Sequence, residues 1–272
     1  MMLRNVLIAV LAAAATIATA APRTELPAST TPGALVIGRT KPGSEVTFAG
    51  RRLRVAGDGS FLFGLGRDVT DSANVVVRYP DARNETLTLS ITPRDFAIER
   101  VNGLPESTVN PDQKLAERIA REQALVTKAR ERDDARQDYR FGFIWPNKGR
   151  ISGVYGSQRI LNGTPKNPHY GVDIAVGTGT PIHAPAGGIV SFVAKDLYLT
   201  GGTVLIDHGH GLSSVFVHMS RIDVKPEQRV EQGAVIGAVG ATGRATGPHL
   251  HWGMNWFDTR LDPQLVVGPM PK

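Results

Sequence analysis

Short runs of β-branched and aromatic residues, separated by turns rich in Gly and Pro, recur over two long stretches of this 272-residue chain. Short strands at such spacing are typical of small sandwiches and barrels. We therefore predict a mostly β protein, in which residues 34–100 form a small β-sandwich-like accessory module and residues 141–264 form an antiparallel β domain. The candidate strands are residues 34–37, 45–48, 52–55, 61–63, 75–78 and 86–89 in the first stretch, and 187–190, 203–206, 214–217 and 234–237 in the second.

A single clear helical pattern lies between these stretches, from Pro111 to about Tyr139. Apolar residues recur there at helical spacing, and charged residues occupy the other faces. Asn110 followed by Pro at the first helical position predicts the N-terminus of the helix. We expect this helix to lie within a linker, residues 101–140, that separates the two β regions.

The two ends of the chain have their own patterns. Arg4, an apolar run over residues 6–15 and the small residues Ala18-Thr19-Ala20 predict a cleaved secretory signal peptide over residues 1–20. The alternative is an uncleaved membrane anchor. We expect the mature protein to be periplasmic or secreted, in a Gram-negative envelope. Further segments without a predicted element are a linker over residues 21–33 and a tail over residues 265–272.

Composition narrows the chemistry. The chain contains no Cys, which excludes a disulfide scaffold, a thiol enzyme and a Cys-ligated metal site, so any metal must be held by His, Asp or Glu. The net charge of +6, from 31 basic and 25 acidic residues, favours anionic surroundings such as a cell wall. Basic residues are interleaved with acids and form no stripe with stacking aromatics, so we expect no nucleic acid partner.

All seven histidines lie between residues 169 and 251, and two groups stand out. In His249-Leu250-His251, the two rings share one face if the segment is a strand, which suits a zinc site. His169 and Asp173 also share a face, but on a straight strand they would be roughly 13 Å apart. They can therefore share a metal only if the chain turns between them, at Gly171.

The other four histidines give weaker signals. His218 ends a predicted strand, on the face that it is expected to share with Ser214 and Phe216. A lone histidine in such a position is usually structural. His208 is expected to be structural or to support a neighbouring site, since it and Asp207 point to opposite faces. Still weaker candidates are His183 and His210.

In order along the chain, these elements resemble the lysostaphin-type (LytM-type) zinc metallopeptidases, a family of peptidoglycan endopeptidases. The family pattern is His-x-x-x-Asp, then a strand His, then His-x-His. This chain has all three elements: His169 with Asp173, His218 within Val-His-Met-Ser, and His249 with His251.

The resemblance covers roughly residues 139–264, and it implies a role for each residue of the pattern. The zinc ligands would be His169, Asp173 and His251, and the catalytic histidines would be His218 and His249. Zinc would be the cofactor. The implied activity is that of a secreted endopeptidase hydrolysing peptide bonds in peptidoglycan stem peptides or cross-links. The bond cut, the histidine acting as base and the substrate-binding residues stay open.

Three alternatives accompany this interpretation. The chain could be a catalytically silent regulator of another cell-wall hydrolase, which would then be a protein partner. It could be a zinc-free β domain whose histidines are structural. Finally, the N-terminal module or the helix could cover the groove of an active enzyme until displaced. The oligomeric state stays open.

Overall fold

The computed structural model describes residues 23–103 and 106–271 of the chain. It is mostly β, with a long helix between an N-terminal β region and a C-terminal β domain, which confirms the predicted fold class. The predicted signal peptide lies outside the described residues. Among the helices of residues 23–103 and 106–271, none is both long and apolar enough to cross a membrane.

The N-terminal region is built on a five-stranded sheet with an additional strand pair. Within residues 23–103 the strands are β1 (Ser29–Thr30), β2 (Leu35–Arg39), β3 (Glu45–Phe48), β4 (Arg51–Leu53), β5 (Ser60–Gly64), β6 (Ser72–Arg78), β7 (Asn84–Ile91) and β8 (Ile98–Val101). The sheet order is β1-β7-β6-β3-β4, and β2 pairs with β5. All six predicted strands of this region are present, with ends shifted by a few residues. Strict alternation along β6 buries Ala73, Val75 and Val77 and exposes the residues between them.

The segment before β2, predicted as a linker, packs against this sheet where it is described. Ser29 on β1 pairs in parallel with Ser90 on β7. The Thr24 side chain is buried, with its hydroxyl 2.8 Å from the Thr40 hydroxyl and 2.7 Å from the Tyr79 hydroxyl. This Pro- and Thr-rich segment is therefore extended, and it pairs with the edge of the sheet.

Two helices, α1 (Glu106–Val109) and α2 (Gln113–Arg130), follow the N-terminal region. The predicted ends of the long helix were wrong. Its N-cap is Asp112, whose carboxylate accepts a hydrogen bond from the Leu115 amide at 2.8 Å. The helix ends at Arg130 because the charged residues beyond it make long-range ion pairs instead: Arg132 lies 2.7 Å from Glu227, and Arg136 contacts Asp207.

The C-terminal domain is built on one large antiparallel sheet. Its elements are β9 (Arg150–Gly153), β10 (Gln158–Leu161), β11 (Thr164–Pro165), β12 (Val172–Ala175), β13 (Pro181–His183), β14 (Gly188–Leu197), β15 (Gly201–Gly209), β16 (Leu212–Met219), β17 (Arg221–Ile222), β18 (Arg229–Val230), β19 (Val235–Ala238), β20 (Leu250–Trp256), β21 (Thr259–Leu261) and α3 (Pro263–Val267). The main sheet has the order β18-β14-β15-β16-β20-β12-β9, and β21 pairs with β20. All four predicted strands are present. The predicted tail begins inside α3.

The two faces of the main sheet differ. Phe216 on β16 pairs with Trp252 on β20, and both are fully buried in the core. The next pair, Val217 and His251, points to the opposite face, since side chains alternate along a strand. Helix α2 covers part of that second face, where Val126 packs near Val217.

The core is continuous between the two β regions. The rings of Phe48 on β3 and Trp256 on β20 have centroids 6.1 Å apart, and apolar residues of both regions belong to one buried cluster. Arg94 contacts the fully buried Asp262 at 2.7 Å. The accessory region is therefore packed directly on the C-terminal domain.

Candidate metal centre and groove

The five predicted site residues lie together in one groove on the second face of the main sheet. They are His169, Asp173, His218, His249 and His251. Helix α2 forms one wall of the groove, and the paired strands β8 and β10 contribute to another. The groove also receives the loop of residues 244–248, which leads into β20.

Three of these side chains converge on one point. Asp173 on β12 pairs directly with His251 on β20, so the two share a face. Their Oδ1 and Nδ1 atoms are 2.7 Å apart. His169 precedes β12, and its Nε2 lies 3.0 Å from Asp173 Oδ1 and 2.9 Å from His251 Nδ1. The turn that His169 and Asp173 require is therefore present. Two imidazole nitrogens and one carboxylate oxygen are a donor set that fits zinc.

Two glycines allow this close approach. A Cβ at Gly171 would lie 2.6 Å from the Trp252 carbonyl oxygen and 2.7 Å from the His251 ring. A Cβ at Gly153 on β9 would overlap the Asp173 carboxylate and lie 3.0 Å from the His169 ring. Contacts this short require something to move, so a side chain at either position would displace the converging groups.

Three groove histidines are held by backbone carbonyls in the same way. The Nδ1 of His169 lies 3.0 Å from the Val154 oxygen, that of His218 lies 2.8 Å from the Thr242 oxygen, and that of His249 lies 2.9 Å from the Gly247 oxygen. A donor at Nδ1 leaves the lone pair on Nε2. Such a carbonyl partner is the usual support of a metal-binding histidine, and it also orients a histidine that acts as a base.

His218 reaches the groove by an unexpected backbone conformation. Regular alternation along β16 would place it on the core face with Ser214 and Phe216, as predicted. Its φ of 62° is instead in the left-handed region, and its side chain lines the groove. The prediction of its face was wrong because one left-handed residue at a strand end breaks the period of two. Such strain in a non-glycine residue clusters at functional sites.

Burial sets the charge states in the groove. Burial disfavours the charged form of Asp173 and by itself would raise the pKa of this carboxyl. The contacts of the carboxyl with His169 and His251 outweigh burial and hold the pKa well below its usual range. Burial lowers the pKa of His218 to about 4, and it lowers the pKa of His251 despite Asp173. These groups are therefore a carboxylate and neutral imidazoles at neutral pH, the states that bind metal or accept a proton.

The remaining three histidines lie outside the groove. His208 is fully buried, and its Nδ1 lies 2.7 Å from the Gly187 oxygen. His210 is buried, with its Nδ1 3.2 Å from the Tyr139 hydroxyl. His183 is half-buried and bonds to a backbone carbonyl.

Sequence reasoning missed several cationic residues of the groove. Arg159 on β10 has its Nη2 3.6 Å from Asp173 Oδ2 and its Nε 3.3 Å from Glu99 on β8. Arg130 at the end of α2 and Arg260 on β21 also line the groove. They come from distant segments that carry no common motif, so only the fold brings them together.

Residues 167–263, which include the five groove residues, are similar to known proteins. The sequence model of Peptidase family M23 matches residues 167–263. The peptidoglycan DD-endopeptidase ShyA of Vibrio cholerae is 39% identical over 107 residues, which are 39% of this chain and 25% of that protein. The DD-carboxypeptidase/endopeptidase Mpg of Neisseria meningitidis is 39% identical over 105 residues, 38% of this chain and 24% of that protein. The matched segment thus spans about a quarter of each curated relative.

Similarity to one solved structure extends further. A crystal structure from Pseudomonas aeruginosa, described as a peptidase M23, is 32% identical with a TM-score of 0.68. The match covers 88% of this chain and 95% of that one. It therefore includes the N-terminal β region as well as the domain that holds the groove.

Proposed function

Because this chain belongs to peptidase family M23, we propose that it is a zinc metalloendopeptidase that hydrolyses peptide bonds in peptidoglycan stem peptides or cross-links. The observation that carries the proposal is the convergence of His169, Asp173 and His251, with two further histidines in the same groove. The predicted signal peptide would place this activity in the periplasm or outside the cell.

The metal would be held by His169 Nε2, Asp173 Oδ1 and His251 Nδ1. Three protein ligands leave a position open on a tetrahedral zinc, as catalytic sites require. Zinc bound in such a site lowers the pKa of water towards neutrality and acts as a Lewis acid on a carbonyl oxygen.

The two remaining histidines would move protons. His218 and His249 have ring centroids 4.8 Å apart, and each has its Nδ1 held by a carbonyl and its Nε2 available. His249 Nε2 lies 3.9 Å from Asp173 Oδ1, beside the converging ligands. One ring would accept a proton from the attacking water. The other, once it carries a proton at Nε2, would donate a hydrogen bond to the developing oxyanion or that proton to the leaving amine.

The relatives support a peptidoglycan substrate. ShyA and Mpg are named for endopeptidase activity, and ShyA for peptidoglycan. The alternative of a catalytically silent regulator would be favoured by loss of site residues. All five are present in this chain, and their arrangement supports an enzyme instead.

The test is digestion of isolated peptidoglycan by the zinc-loaded chain without residues 1–20. Released fragments would be identified by mass spectrometry, beside His249→Ala as the inactive variant. We expect new free amino termini with the wild type only, and the fragment masses would identify the bond. A wild-type protein that binds zinc and releases no fragment would contradict the proposal and favour the regulator.

A further inference from the structure

The groove contains a buried guanidinium that has no anionic partner within the described part of the chain. Arg130, the last residue of α2, is only 7% exposed and lines the groove. Its Nε is buried without a hydrogen bond, and the ion pairs found in residues 23–103 and 106–271 do not include it. A buried charge without a partner is costly, so a native chain normally pairs it.

A second guanidinium lies close to the first. Arg260 on β21 also lines the groove, and its Nη1 donates to Asn255 Oδ1 at 2.9 Å. Its guanidinium lies 5.5 Å from the centroid of the Tyr170 ring. Burial, together with the charge of Arg260, lowers the pKa of Arg130 to about 9. The charge of Asp258 raises the pKa of Arg260 through space, but the two residues form no ion pair in the described part of the chain.

Two more polar side chains, Asn255 opposite Arg260 and Ser213 opposite Asn255, each have an atom without a hydrogen-bond partner among the described residues. Asn255 on β20 pairs directly with Ser213 on β16, on the face that carries His251. Because Asn255 Oδ1 accepts from Arg260, its Nδ2 is the donor end, and this atom is buried without a hydrogen bond. Ser213 Oγ is also buried without one. Buried polar groups without a partner require an explanation. The amide nitrogen of Asn255 and the hydroxyl of Ser213 can both donate a hydrogen bond.

We propose that Arg130 and Arg260 form a subsite that binds a carboxylate of the peptide substrate, at a distance from the scissile bond. This inference rests on the proposed peptidase function. Asn255 lies four residues along β20 from His251, or about 13 Å. The planar guanidinium matches the geometry of a carboxylate, and peptidoglycan stem peptides carry carboxylates outside their peptide bonds.

The experiment compares two substrates that differ in charge only. A cross-linked stem-peptide dimer is prepared with its free carboxylates, and a matched dimer with those carboxylates as primary amides. Binding to zinc-loaded full-length His249→Ala protein, which should leave the peptide intact, is measured by calorimetry. We expect the carboxylate form to bind roughly 10- to 100-fold more tightly, the range of a charge-assisted hydrogen bond.

Variants of the two arginines test whether the preference for the carboxylate form comes from this subsite. Arg130→Gln and Arg260→Gln, each in the His249→Ala background, should lose most of it. Arg121→Gln removes the same charge from an exposed position on α2 outside the groove lining, and should keep it. Arg260→Gln is informative even if the buried Arg130 variant does not fold.

The outcomes separate this subsite from the proposed function. Equal binding of the two peptides, no binding of either, or an undiminished preference in Arg260→Gln would overturn the subsite, even if the wild type cleaves peptidoglycan. Conversely, a carboxylate preference lost in Arg260→Gln, with no cleavage by the wild type, would support the subsite and contradict the peptidase.

Discussion

The two faces of the main sheet use the same residue type in opposite ways. On the core face, His208 is fully buried and both ring nitrogens have partners, the Gly187 oxygen at 2.7 Å and the Ser214 hydroxyl at 2.9 Å. On the groove face, His218 and His249 each have one nitrogen bound to a backbone carbonyl, and the other ring edge faces the groove. A satisfied imidazole stabilises packing, whereas one with an available lone pair can bind a metal or accept a proton.

The difference does not lie in burial alone. His169 is 4% exposed, nearly as buried as His208, but its Nε2 faces the Asp173 carboxylate and His251 rather than a hydroxyl. A histidine therefore becomes a candidate ligand because of what surrounds its second nitrogen. Variants of the residues around these rings test that distinction.

Removal of the shared carboxylate should have the largest effect. Asp173→Ala leaves two imidazoles without the oxygen that both contact, so zinc content should fall from one ion per chain to background, and hydrolysis with it. Metal analysis after gel filtration measures this. The control is Asp223→Ala, which removes an exposed carboxylate outside the groove and should bind zinc normally. Full zinc occupancy in Asp173→Ala would show that Asp173 is not a ligand.

Removal of His249, a proposed proton-transfer residue, should separate activity from metal binding. His249→Ala should lower peptidoglycan hydrolysis by about 10²- to 10⁴-fold, the usual contribution of general acid–base catalysis, with zinc still bound. The control is His183→Ala, which changes a half-buried histidine outside the groove. Loss of zinc from His249→Ala would instead place His249 among the ligands.

A methyl group against the ligands should have a graded effect. Gly153→Ala adds a Cβ that overlaps the Asp173 carboxylate, so we expect zinc affinity to fall by about 10- to 100-fold, as for other changes around metal ligands. Competition with a chromophoric chelator measures the affinity. Gly57→Ala, where an added Cβ meets nothing within 4 Å, should match the wild type. Equal affinities would mean that the ligands do not need this close packing.

The core-face histidine should affect pH-dependent stability. Burial lowers the pKa of His208 from 6.5 to about 4, so as pH falls through this window the unfolded chain binds a proton before the folded one. Stability due to neutral His208 is therefore present above about pH 6.5 and is lost towards pH 4. Between pH 7 and 5 the wild type should lose on the order of 2 kcal/mol more than His208→Asn. Urea unfolding at both pH values measures this, and parallel losses would contradict it.

Much of the fold could be predicted because it depends on local pattern. Alternation and turn residues predicted strands such as β3 and β5 to within one residue of their ends. The helix was predicted too long, because composition after Arg130 still favours helix while ion pairs such as Arg132 with Glu227 need an irregular chain. Residues 29–30 were expected in a linker but form a strand. Their local sequence does not indicate it, because edge pairing depends on a distant partner strand.

The candidate site divides in the same way. The resemblance to the family pattern identified five residues that the fold brings into one groove, and the spacing of His169 and Asp173 predicted the bend at Gly171. The face of His218 was predicted wrongly, because a positive φ at one residue leaves no signal in an alternation pattern. Arg130 and Arg260 had no signal either, since the groove between α2 and the sheet exists only in the folded chain.

The most direct test of the proposed zinc ligands is X-ray absorption spectroscopy of the zinc-loaded wild-type protein, with zinc per chain measured on the same sample. We predict one ion per chain, bound by two imidazole nitrogens and by oxygen, because the proposed ligands are His169, His251 and Asp173, without His218 and His249. Three or four imidazoles around the ion, or no stoichiometric zinc, would contradict the division of the groove histidines on which the proposed mechanism depends.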